Sequence, residues 1–557
     1  MPVIFKDDLS HTQVGGDVNI FFLIQSPSPH TYKKSPNMLS QLNYEKGQIS
    51  GAILAIPILI ISVLLLIFLI KKPGTKIAPL PPGPRGFPII GYLPFLGTHL
   101  HHTFTKLAQI YGPIYKLKLG NKLYVVISSP SLAKEVVRDK DSIFANRDPP
   151  ISVKVVAFGG NDVAWLPHGP DWIKMRKVFV REMLSNTSLD ACYSLRKQEV
   201  EKSIKKVHDK AGECLDFGEL AFVTLINTMM KILWGGTLQG EEGTKLTEEF
   251  RKAVAEYMVI ICEPNVSDSF PVLARFDLQG VERRARKIGV CMEEIVNSII
   301  KQHRSSNIAV KEDGAGNKKG RDFLQIVLEL QERDDPATSI TMNQAKGLLM
   351  DVVIGGTDTT STMVEWAMAE IMMNPEIMKK VQQELDQVVG VNNSVEEFHL
   401  PKLHYLDAVV KETSRLHPAL PMLVPRCPTS SATIGGFTIP RGTQVFLNIW
   451  AIQRDPEHWD NPLEFRPERF LNGEDCKLDF SGNNFKYLPF GSGRRVCAGI
   501  PLAEKTLMYL LASLLHSFDW KLPAGEELEL SDKSGLVVKK AKPLIVIPTP
   551  RLPNPEH

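Results

Sequence analysis

The feature that most constrains the fold is an uncharged, almost wholly aliphatic stretch at residues 51–70. At a rise of about 1.5 Å per residue, a helix of this length crosses a hydrocarbon core of roughly 30 Å. A cleaved signal peptide has a shorter apolar region and a small-residue cleavage site, whereas Lys71, Lys72 and Pro73 follow this stretch. We therefore expect a retained transmembrane helix that separates a short first segment from a much larger body.

Basic residues cluster directly after this predicted anchor, at Lys71, Lys72, Lys76 and Arg85. Because basic flanks of membrane helices stay in the cytosol, the cluster predicts a single-pass protein with a cytosolic body. The 7 cysteines are scattered and include no CxxC pair, which agrees with a reducing compartment and argues against a disulfide framework or a zinc site. With a net charge of only +3 and no long basic block, the chain is not expected to bind nucleic acid.

The predicted organisation has four parts. Residues 1–50 form a polar, turn-rich extension that we expect to be disordered, and Met38 within it is a plausible natural start. Residues 51–70 are the anchor, residues 71–90 a basic and proline-rich hinge, and residues 91–557 one large domain. Prolines resist helix and sheet, so the run after Pro79 predicts a stiff, extended spacer.

Hydrophobic periodicity and stop signals predict a mainly helical catalytic domain with short strands. In chain order we expect a hairpin over residues 114–128 around Gly120-Asn121, a helix from about Asp171, a long helix from Thr341 to Asn374-Pro375, a helix over residues 405–416, a strand over residues 442–451, and a last large helix after Cys497.

The most informative motif is the run Phe-Gly-Ser-Gly-Arg-Arg-Val-Cys-Ala-Gly at residues 490–499. A loop that presents a thiolate to a flat macrocycle needs glycines where a Cβ would collide and backbone N–H groups near the sulfur. Arg495 lies two residues before Cys497 and suits a propionate carboxylate, while Phe490 is placed to shield the sulfur. The run resembles the haem-binding signature of the cytochrome P450 family, which it matches at Phe490, Gly493, Arg495, Cys497 and Gly499.

A second motif, Gly-Gly-Thr-Asp-Thr-Thr at residues 355–360, falls inside the predicted long helix. Each mid-helix glycine costs about 1 kcal/mol relative to alanine, so some other role should offset it. The gap beside Gly355 can hold a diatomic ligand, with the Thr359 hydroxyl one turn away. The motif resembles the family's oxygen-activation sequence, with Gly355 in place of the usual alanine, and the resemblance implies that Asp358 and Thr359 relay protons. A flexible helix with a local cap is the alternative.

Two further motifs agree with the same resemblance. Glu412 and Arg415 share a helix face at i and i+3 and can pair, and in the family an arginine like Arg469 completes a buried structural triad with them. Trp172 and Arg176 lie at i and i+4, and the resemblance implies that this pair binds a haem propionate. Arg426 is a further propionate candidate by position.

The resemblance extends over residues 79–557, with the motifs in family order, and implies a cytochrome P450 fold behind one N-terminal transmembrane helix. It implies a haem-thiolate monooxygenase with haem b (iron protoporphyrin IX) and Cys497 as the iron ligand. One atom of dioxygen enters the substrate and the other leaves as water, and the thiolate promotes cleavage of the O–O bond. Electrons are expected from NADPH through a membrane-bound NADPH–P450 reductase, since no flavin or dinucleotide motif is visible.

Finer details are similar to plant, endoplasmic-reticulum members, in particular to a subfamily that includes sesquiterpene hydroxylases. We expect a single-pass protein of the endoplasmic reticulum membrane, Arg494 and Arg495 contributing to reductase docking, and a small lipophilic substrate, terpenoid first and phenolic second. The expected pocket segments are residues 144–165, 352–356, 420–423 and 535–537.

Two alternatives remain at the level of the sequence. A protein of the same fold that isomerises or dehydrates hydroperoxides without a reductase has no need of the Asp358-Thr359 pair. A non-enzymatic haem-binding or sterol-binding protein has no need of both the proton relay and the cysteine loop.

Overall fold

The computed structural model describes residues 78–234, 240–261, 263–312, 322–533 and 535–552. The predicted extension, the anchor and the basic residues 71–76 lie outside the described residues. Ile77–His557 forms one compact unit, and the description below concerns that unit alone.

Helices dominate this unit and strands are short, which confirms the expected fold class of mainly α structure with small β-sheets. The helices are α1 Leu100–Tyr111, α2 Pro130–Lys134, α3 Asp141–Phe144, α4 Ile151–Val156, α5 Pro170–Val178, α6 Asn186–Ala191, α7 Tyr193–Asp209, α8 Phe217–Trp234, α9 Gly240–Ile260, α10 Val266–Ser269, α11 Val281–Glu312, α12 Phe323–Gln331, α13 Met342–Met373, α14 Pro375–Val388, α15 His404–Leu416, α16 Ile449–Ile452 and α17 Ile500–Ser517. One-turn π segments continue α2 and α5 at Glu135–Asp139 and Phe179–Met183.

Four small sheets complete the described fold. The strands are β1 Ile114–Leu119, β2 Lys122–Ile127, β3 Leu215–Asp216, β4 Ala432–Ile434, β5 Phe437–Ile439, β6 Gln444–Leu447, β7 Phe518–Lys521, β8 Asp532–Lys533, β9 Lys539–Lys540 and β10 Ile545–Pro550. Their orders are β1-β2-β6, β3-β10-β7, β4-β5 and β8-β9. All pairs are antiparallel except β2 with β6, which run parallel.

The long helix α13 runs through the core of the unit and is buried over most of its length. A capping box closes its first turn, because the Thr341 hydroxyl accepts from the Gln344 N–H and the Gln344 side chain accepts from the Thr341 N–H. The first half of α13 packs in one apolar cluster with α8, α9 and α11, and the second half in another with α14, α15 and α17. Residues 354–360, where the glycines lie, fall between these two clusters.

Helix α8 packs closely against α13 at one of these glycines. A Cβ at Gly356 would lie 2.9 Å from the Met229 Sδ, so a larger residue there would force the flexible Met229 side chain to move. Among the described residues, α8 is also the one helix long and apolar enough to cross a membrane, but 67% of the apolar window is buried inside the protein. We therefore interpret α8 as a core helix, whose packing offsets the cost of a mid-helix glycine.

Two local expectations are adjusted by the structure. The predicted strand over residues 442–451 ends at Leu447, because the Asn448 side chain accepts a hydrogen bond from the Ala451 N–H and starts α16. The described part of the proline-rich segment is fastened to the sheets, since the Pro82 carbonyl accepts from the Lys116 N–H and the Pro79 carbonyl from the Thr438 N–H. The hairpin β1–β2 and helices α13, α15 and α17 lie where the sequence predicts them.

Candidate active site

A cavity of about 320 Å³ lies between α13 and the loop of residues 490–499. Each of the four expected pocket segments contributes to its wall, through residues such as Trp165, Val352, Leu423 and Val537. Helices α8 and α9 and the residue after α9 add a side that the sequence did not predict, formed by Met229, Tyr257, Met258 and Ile261. Most of the wall is apolar, which suits a lipophilic molecule.

Cys497 lies deep in the protein but is exposed to the space inside this cavity, which it lines. Burial raises the pKa of the thiol, and hydrogen bonds from the Gly499 and Ile500 N–H groups, together with the Arg176 guanidinium, oppose that rise. These N–H groups belong to the start of α17, whose positive end favours a sulfur anion. The Cys497 N–H donates to the Phe490 carbonyl at 3.0 Å, so backbone contacts on both sides hold the sulfur in position.

The loop that carries Cys497 is tied to the preceding part of the chain through Asp141, a residue the sequence analysis did not single out. Its carboxylate accepts from the Arg494 N–H at 2.9 Å and from the Arg426 guanidinium at 3.0 Å. Gly493 adopts a φ of 67°, and a Cβ there would lie 2.2 Å from the Val137 carbonyl oxygen. The position therefore requires glycine, as the motif predicts.

Four guanidinium groups converge on the cavity wall, from Arg147, Arg176, Arg426 and Arg495. Burial lowers the pKa of each, and for Arg495 the neighbouring cations Arg426 and Arg176 help to lower it to about 9. Arg147, which no motif marked, is buried, and its Nε has no hydrogen-bond partner among the described residues. Such a cluster of desolvated cations calls for an anionic partner in the cavity.

Trp172 occupies a different place from the one its motif implied. Its indole N–H donates to the Val163 carbonyl at 3.0 Å, and it does not line the cavity. The Arg495 guanidinium carbon lies 4.2 Å from the centre of a Trp172 ring. Trp172 therefore makes a cation–π contact that helps to hold Arg495 in place. Arg176 lines the cavity and donates to the Val496 carbonyl at 2.6 Å.

The two members of the predicted proton relay face different ways. Thr359 lines the cavity, and its hydroxyl donates to the Gly355 carbonyl at 2.5 Å. A Cβ at Gly355 would meet no atom within 4 Å, so this glycine opens onto the cavity. Asp358 does not line the cavity, and its carboxylate pairs with Lys539 of β9.

The residues of the predicted triad meet in the core. Arg415 Nε and a terminal nitrogen donate to the two Glu412 oxygens at 2.6 and 2.8 Å, and Arg469 Nε donates to the same carboxylate at 3.2 Å. Arg415 also donates to the carbonyls of Gln453 and Pro462. Every one of the three charged groups is buried and paired, as a desolvated ion network requires.

Two acids in the wall, the buried Asp162 and the half-buried Asp351, were not predicted from the sequence, which had suggested a largely apolar pocket. Asp162 accepts from the Trp165 N–H and Asp351 from the Val163 N–H, each at 2.6 Å. Burial raises the pKa of Asp162 to about 6 and raises that of Asp351 well above its usual range, with the Asp162 charge as a second cause for Asp351. The bond from the Val163 N–H to Asp351 holds the segment before α5 against α13.

Comparison with known proteins decides the family. The model of the family "Cytochrome P450" matches residues 81–548. This chain belongs to the cytochrome P450 family. Among its relatives are a flavonoid 3′,5′-hydroxylase from Solanum melongena (37% identical, covering 85% of this chain and 91% of the relative) and a geranylhydroquinone 3″-hydroxylase from Arnebia euchroma (38%, 86% and 95%).

Further relatives and solved structures agree with this assignment. A carnosic acid synthase from Salvia pomifera is 38% identical over 86% of this chain and 95% of its own length. The structure of a zebrafish cytochrome P450 with progesterone superposes with a TM-score of 0.69 at 26% identity, covering 81% of this chain and 99% of that one. The chain is thus a cytochrome P450 monooxygenase.

The family implies a haem, and the residues present fit one. Cys497, the open space beside Gly355 and four guanidinium groups all adjoin the cavity, and the guanidinium groups suit the two propionates of a haem. The unpartnered Nε of buried Arg147 is a donor that a carboxylate would satisfy. Of the predicted cofactor contacts, Arg176, Arg426, Phe490, Arg495 and Gly499 line the cavity and Trp172 does not.

Proposed function

We propose that this cytochrome P450 inserts one atom of dioxygen into a small lipophilic plant metabolite, with Cys497 as the iron ligand. The single observation that carries the proposal is that Cys497, Gly355 and Thr359 line one largely apolar cavity. When bound, the haem supplies the activation of dioxygen and the insertion chemistry. The chain supplies the sulfur ligand, the shape of the cavity and the protons.

The four arginines that line the cavity are proposed to hold the two haem propionates. Arg176, Arg426 and Arg495 were predicted for this role, and Arg147 joins them because its guanidinium is buried beside the same cavity. Bidentate guanidinium–carboxylate pairs orient their ligand as well as bind it. Trp172 is proposed to act through Arg495, on which it stacks.

Protons are proposed to reach the cavity through Asp358 and Thr359. The Thr359 hydroxyl is the group on the cavity side, and its bond to the Gly355 carbonyl holds the oxygen beside the opening in the helix. Asp358 is one residue earlier and faces Lys539 at the protein surface. Together they form an acid on the solvent side and an alcohol on the cavity side, as proton transfer into a dry site requires.

For the substrate we propose a terpenoid, in particular a sesquiterpene, with a phenolic as second choice. The wall offers Val352, Leu420, Leu536 and Val537, together with Met229 of α8. Among relatives at 37–38% identity, one is named for a flavonoid, which is phenolic, and another for a geranylhydroquinone, which joins a phenolic ring to a terpenoid chain. The apolar wall favours the more hydrocarbon-rich class.

Electrons are proposed to come from NADPH through a membrane-bound P450 reductase. Residues 51–70 are proposed to anchor the protein in the endoplasmic reticulum membrane. A hinge at residues 71–90 would then connect this anchor to the catalytic domain, residues 91–557, in the cytosol. The Arg494 guanidinium pairs with Asp141 at 3.0 Å, but its side chain is 49% exposed, so we propose that a partner on the cysteine-loop side can still contact it. Arg495 is turned inward, where it donates to three backbone carbonyls, and we retain only Arg494 in this role.

The decisive experiment is expression in microsomes with the reductase and incubation with a panel of terpenoids and phenolics, read by mass spectrometry. We expect products heavier by one oxygen atom that require NADPH, and a reduced carbon monoxide spectrum typical of thiolate ligation. The Cys497→Ser variant should lose that spectrum and the activity together. Retention of both by Cys497→Ser would refute the proposed ligand, and product formation without NADPH or reductase would refute the electron source.

A further inference from the structure

A cluster of three histidines and one carboxylate lies outside the active site. His99 immediately precedes α1, His101 and His102 belong to its first turn, and Asp532 begins β8. Asp532 Oδ1 lies 2.9 Å from His99 Nδ1, and Asp532 Oδ2 lies 3.2 Å from His101 Nε2 and 2.9 Å from His102 Nε2. One potential ligand atom from each of the four residues lies within 4.8 Å of all the others.

We propose that these four side chains bind one divalent transition-metal ion, with Zn²⁺ as the favoured occupant. At zinc–ligand distances of about 2.0–2.1 Å, the ligands of a tetrahedral site are about 3.3 Å apart. The histidine nitrogens lie 2.9–3.2 Å from the Asp532 oxygens, His99 from Oδ1 and both His101 and His102 from Oδ2, which is close to that value. Imidazole nitrogens select zinc and its later transition-metal neighbours over Mg²⁺ or Ca²⁺, which prefer oxygen.

The burial of the four residues suits a bound ion. His101 and Asp532 are the inner members, with side chains 3% and 9% exposed, whereas His99 and His102 are 39% and 43% exposed. The inner pair gives the site a rigid base, and the outer pair leaves a path by which an ion enters. The edge of Trp450 packs against the rings of both His101 and His102, which fixes their orientation.

The site would connect the first helix of the described unit to its last hairpin. His101 and Asp532 are 431 residues apart in the chain, and the turn between β8 and β9 carries Leu536 and Val537 of the cavity wall. An ion at Asp532 would therefore fasten the base of this hairpin to α1. The cluster offers four protein ligands, which would fill a tetrahedral site and leave no open position. The expected role is therefore structural.

The same geometry fits three imidazole N–H groups that donate to one carboxylate with no ion present, and the experiment separates the two cases. Full-length haem-containing protein without a polyhistidine tag is equilibrated with ZnCl₂, dialysed, and analysed for zinc and iron by mass spectrometry. We expect about one more zinc per iron in the parent than in Asp532→Asn or in the double variant His99→Gln/His102→Gln. His404→Gln, which changes an exposed histidine at the start of α15, should keep the parent ratio.

A second readout keeps the inference falsifiable if a variant folds less well. Zinc should raise the thermal midpoint of the parent and of His404→Gln, and should leave that of Asp532→Asn unchanged, because only a native-state ligand stabilises. Equal zinc-to-iron ratios in the parent and in Asp532→Asn would overturn the site. The site would also be overturned if Asp532→Asn had a lower thermal midpoint while zinc left the midpoint of the parent unchanged. That result would show that the cluster is held by hydrogen bonds alone. Neither readout depends on turnover.

Discussion

Lys539 Nζ lies 2.5 Å from Asp358 Oδ1 and forms an ion pair between β9 and the middle of α13. The Asp358 side chain is 6% exposed and that of Lys539 is 47% exposed. The proposed acid of the proton relay is therefore held by a cation at the surface, on the same hairpin that carries Leu536 and Val537 into the cavity wall. The proposed proton supply and the proposed substrate contacts of Leu536 and Val537 would therefore depend on one hairpin.

Removal of the acid should slow turnover without preventing substrate binding. We expect Asp358→Asn to lower kcat by about 100-fold, the lower end of what a positioned acid or base contributes, and to increase the solvent deuterium isotope effect. The spectral shift on substrate binding should keep its parent dissociation constant, since Asp358 does not line the cavity. Asp358→Glu, which keeps the acid, should recover part of the rate, and full turnover by Asp358→Asn would remove Asp358 from the mechanism.

Removal of the Lys539 cation should slow proton transfer through Asp358 less than removal of Asp358 itself. We expect Lys539→Met to lower product formation per NADPH by roughly threefold to tenfold, because about 1.4 kcal/mol corresponds to a factor of ten and solvent screens a half-exposed lysine. The matched control is Lys542→Met in the same region, where Lys542 pairs with Glu529 at the surface. Equal coupling of NADPH oxidation to product in both variants would contradict a role for the Lys539–Asp358 pair.

The buried triad predicts a large loss of stability. Arg469→Met leaves one oxygen of the buried Glu412 carboxylate without its second guanidinium, and breaking a buried ion pair costs about 3–5 kcal/mol. Lys380→Met breaks the more exposed pair with Glu468 and should cost about 1 kcal/mol or less. Urea denaturation followed by circular dichroism measures both, and similar midpoints for the two variants would be evidence against the network as a stabilising element.

The acid pair at the cavity wall predicts a pH dependence. Folding raises the pKa of Asp162 to about 6 through burial, so the folded chain holds a proton that the unfolded chain has already released. The resulting stability is complete below the unfolded pKa of about 3.9 and is lost as pH rises through the folded value. As pH is raised from about 4 to 6.5, the thermal midpoint of the parent should therefore decrease relative to that of Asp162→Asn.

The asparagine in that variant keeps an oxygen for the Trp165 N–H, so the contact survives while the titration disappears. Asp190→Asn, at a carboxylate 64% exposed, is the control, and its midpoint should follow that of the parent at every pH. A constant difference between the parent and Asp162→Asn across this range would show that the Asp162 carboxyl does not titrate there.

The exposed side chain beside the cysteine loop predicts a partner effect. We expect Arg494→Gln to raise the reductase concentration needed for half-maximal turnover by a few-fold, and the difference from the parent to shrink at high salt, because screening weakens exposed charges. The dissociation constant of substrate should not change. Identical reductase titrations at low salt would exclude Arg494 from docking.

The sequence by itself predicted the family, which the comparisons show, and the fold class, which the structure confirms. It also marked Cys497, Glu412, Arg415, Thr359 and Gly493, because spacing along one loop or one helix turn limits which groups can meet and because these motifs resemble those of the family. Their functional roles stay predictions. Gly493, for example, meets the Val137 carbonyl so closely that no other residue fits. Because these requirements act over a few residues, they can be predicted from the sequence.

Only the tertiary structure decided what depends on distant segments. Arg147, Asp141 and the pair Asp162–Asp351 carry no motif, and their roles follow from burial beside groups far away in sequence. Trp172 was correctly placed next to Arg176 on its helix, but packing turned its indole N–H to the Val163 carbonyl. Desolvation and pairing of charges are properties of the assembled interior, because they depend on which surfaces exclude water from one another.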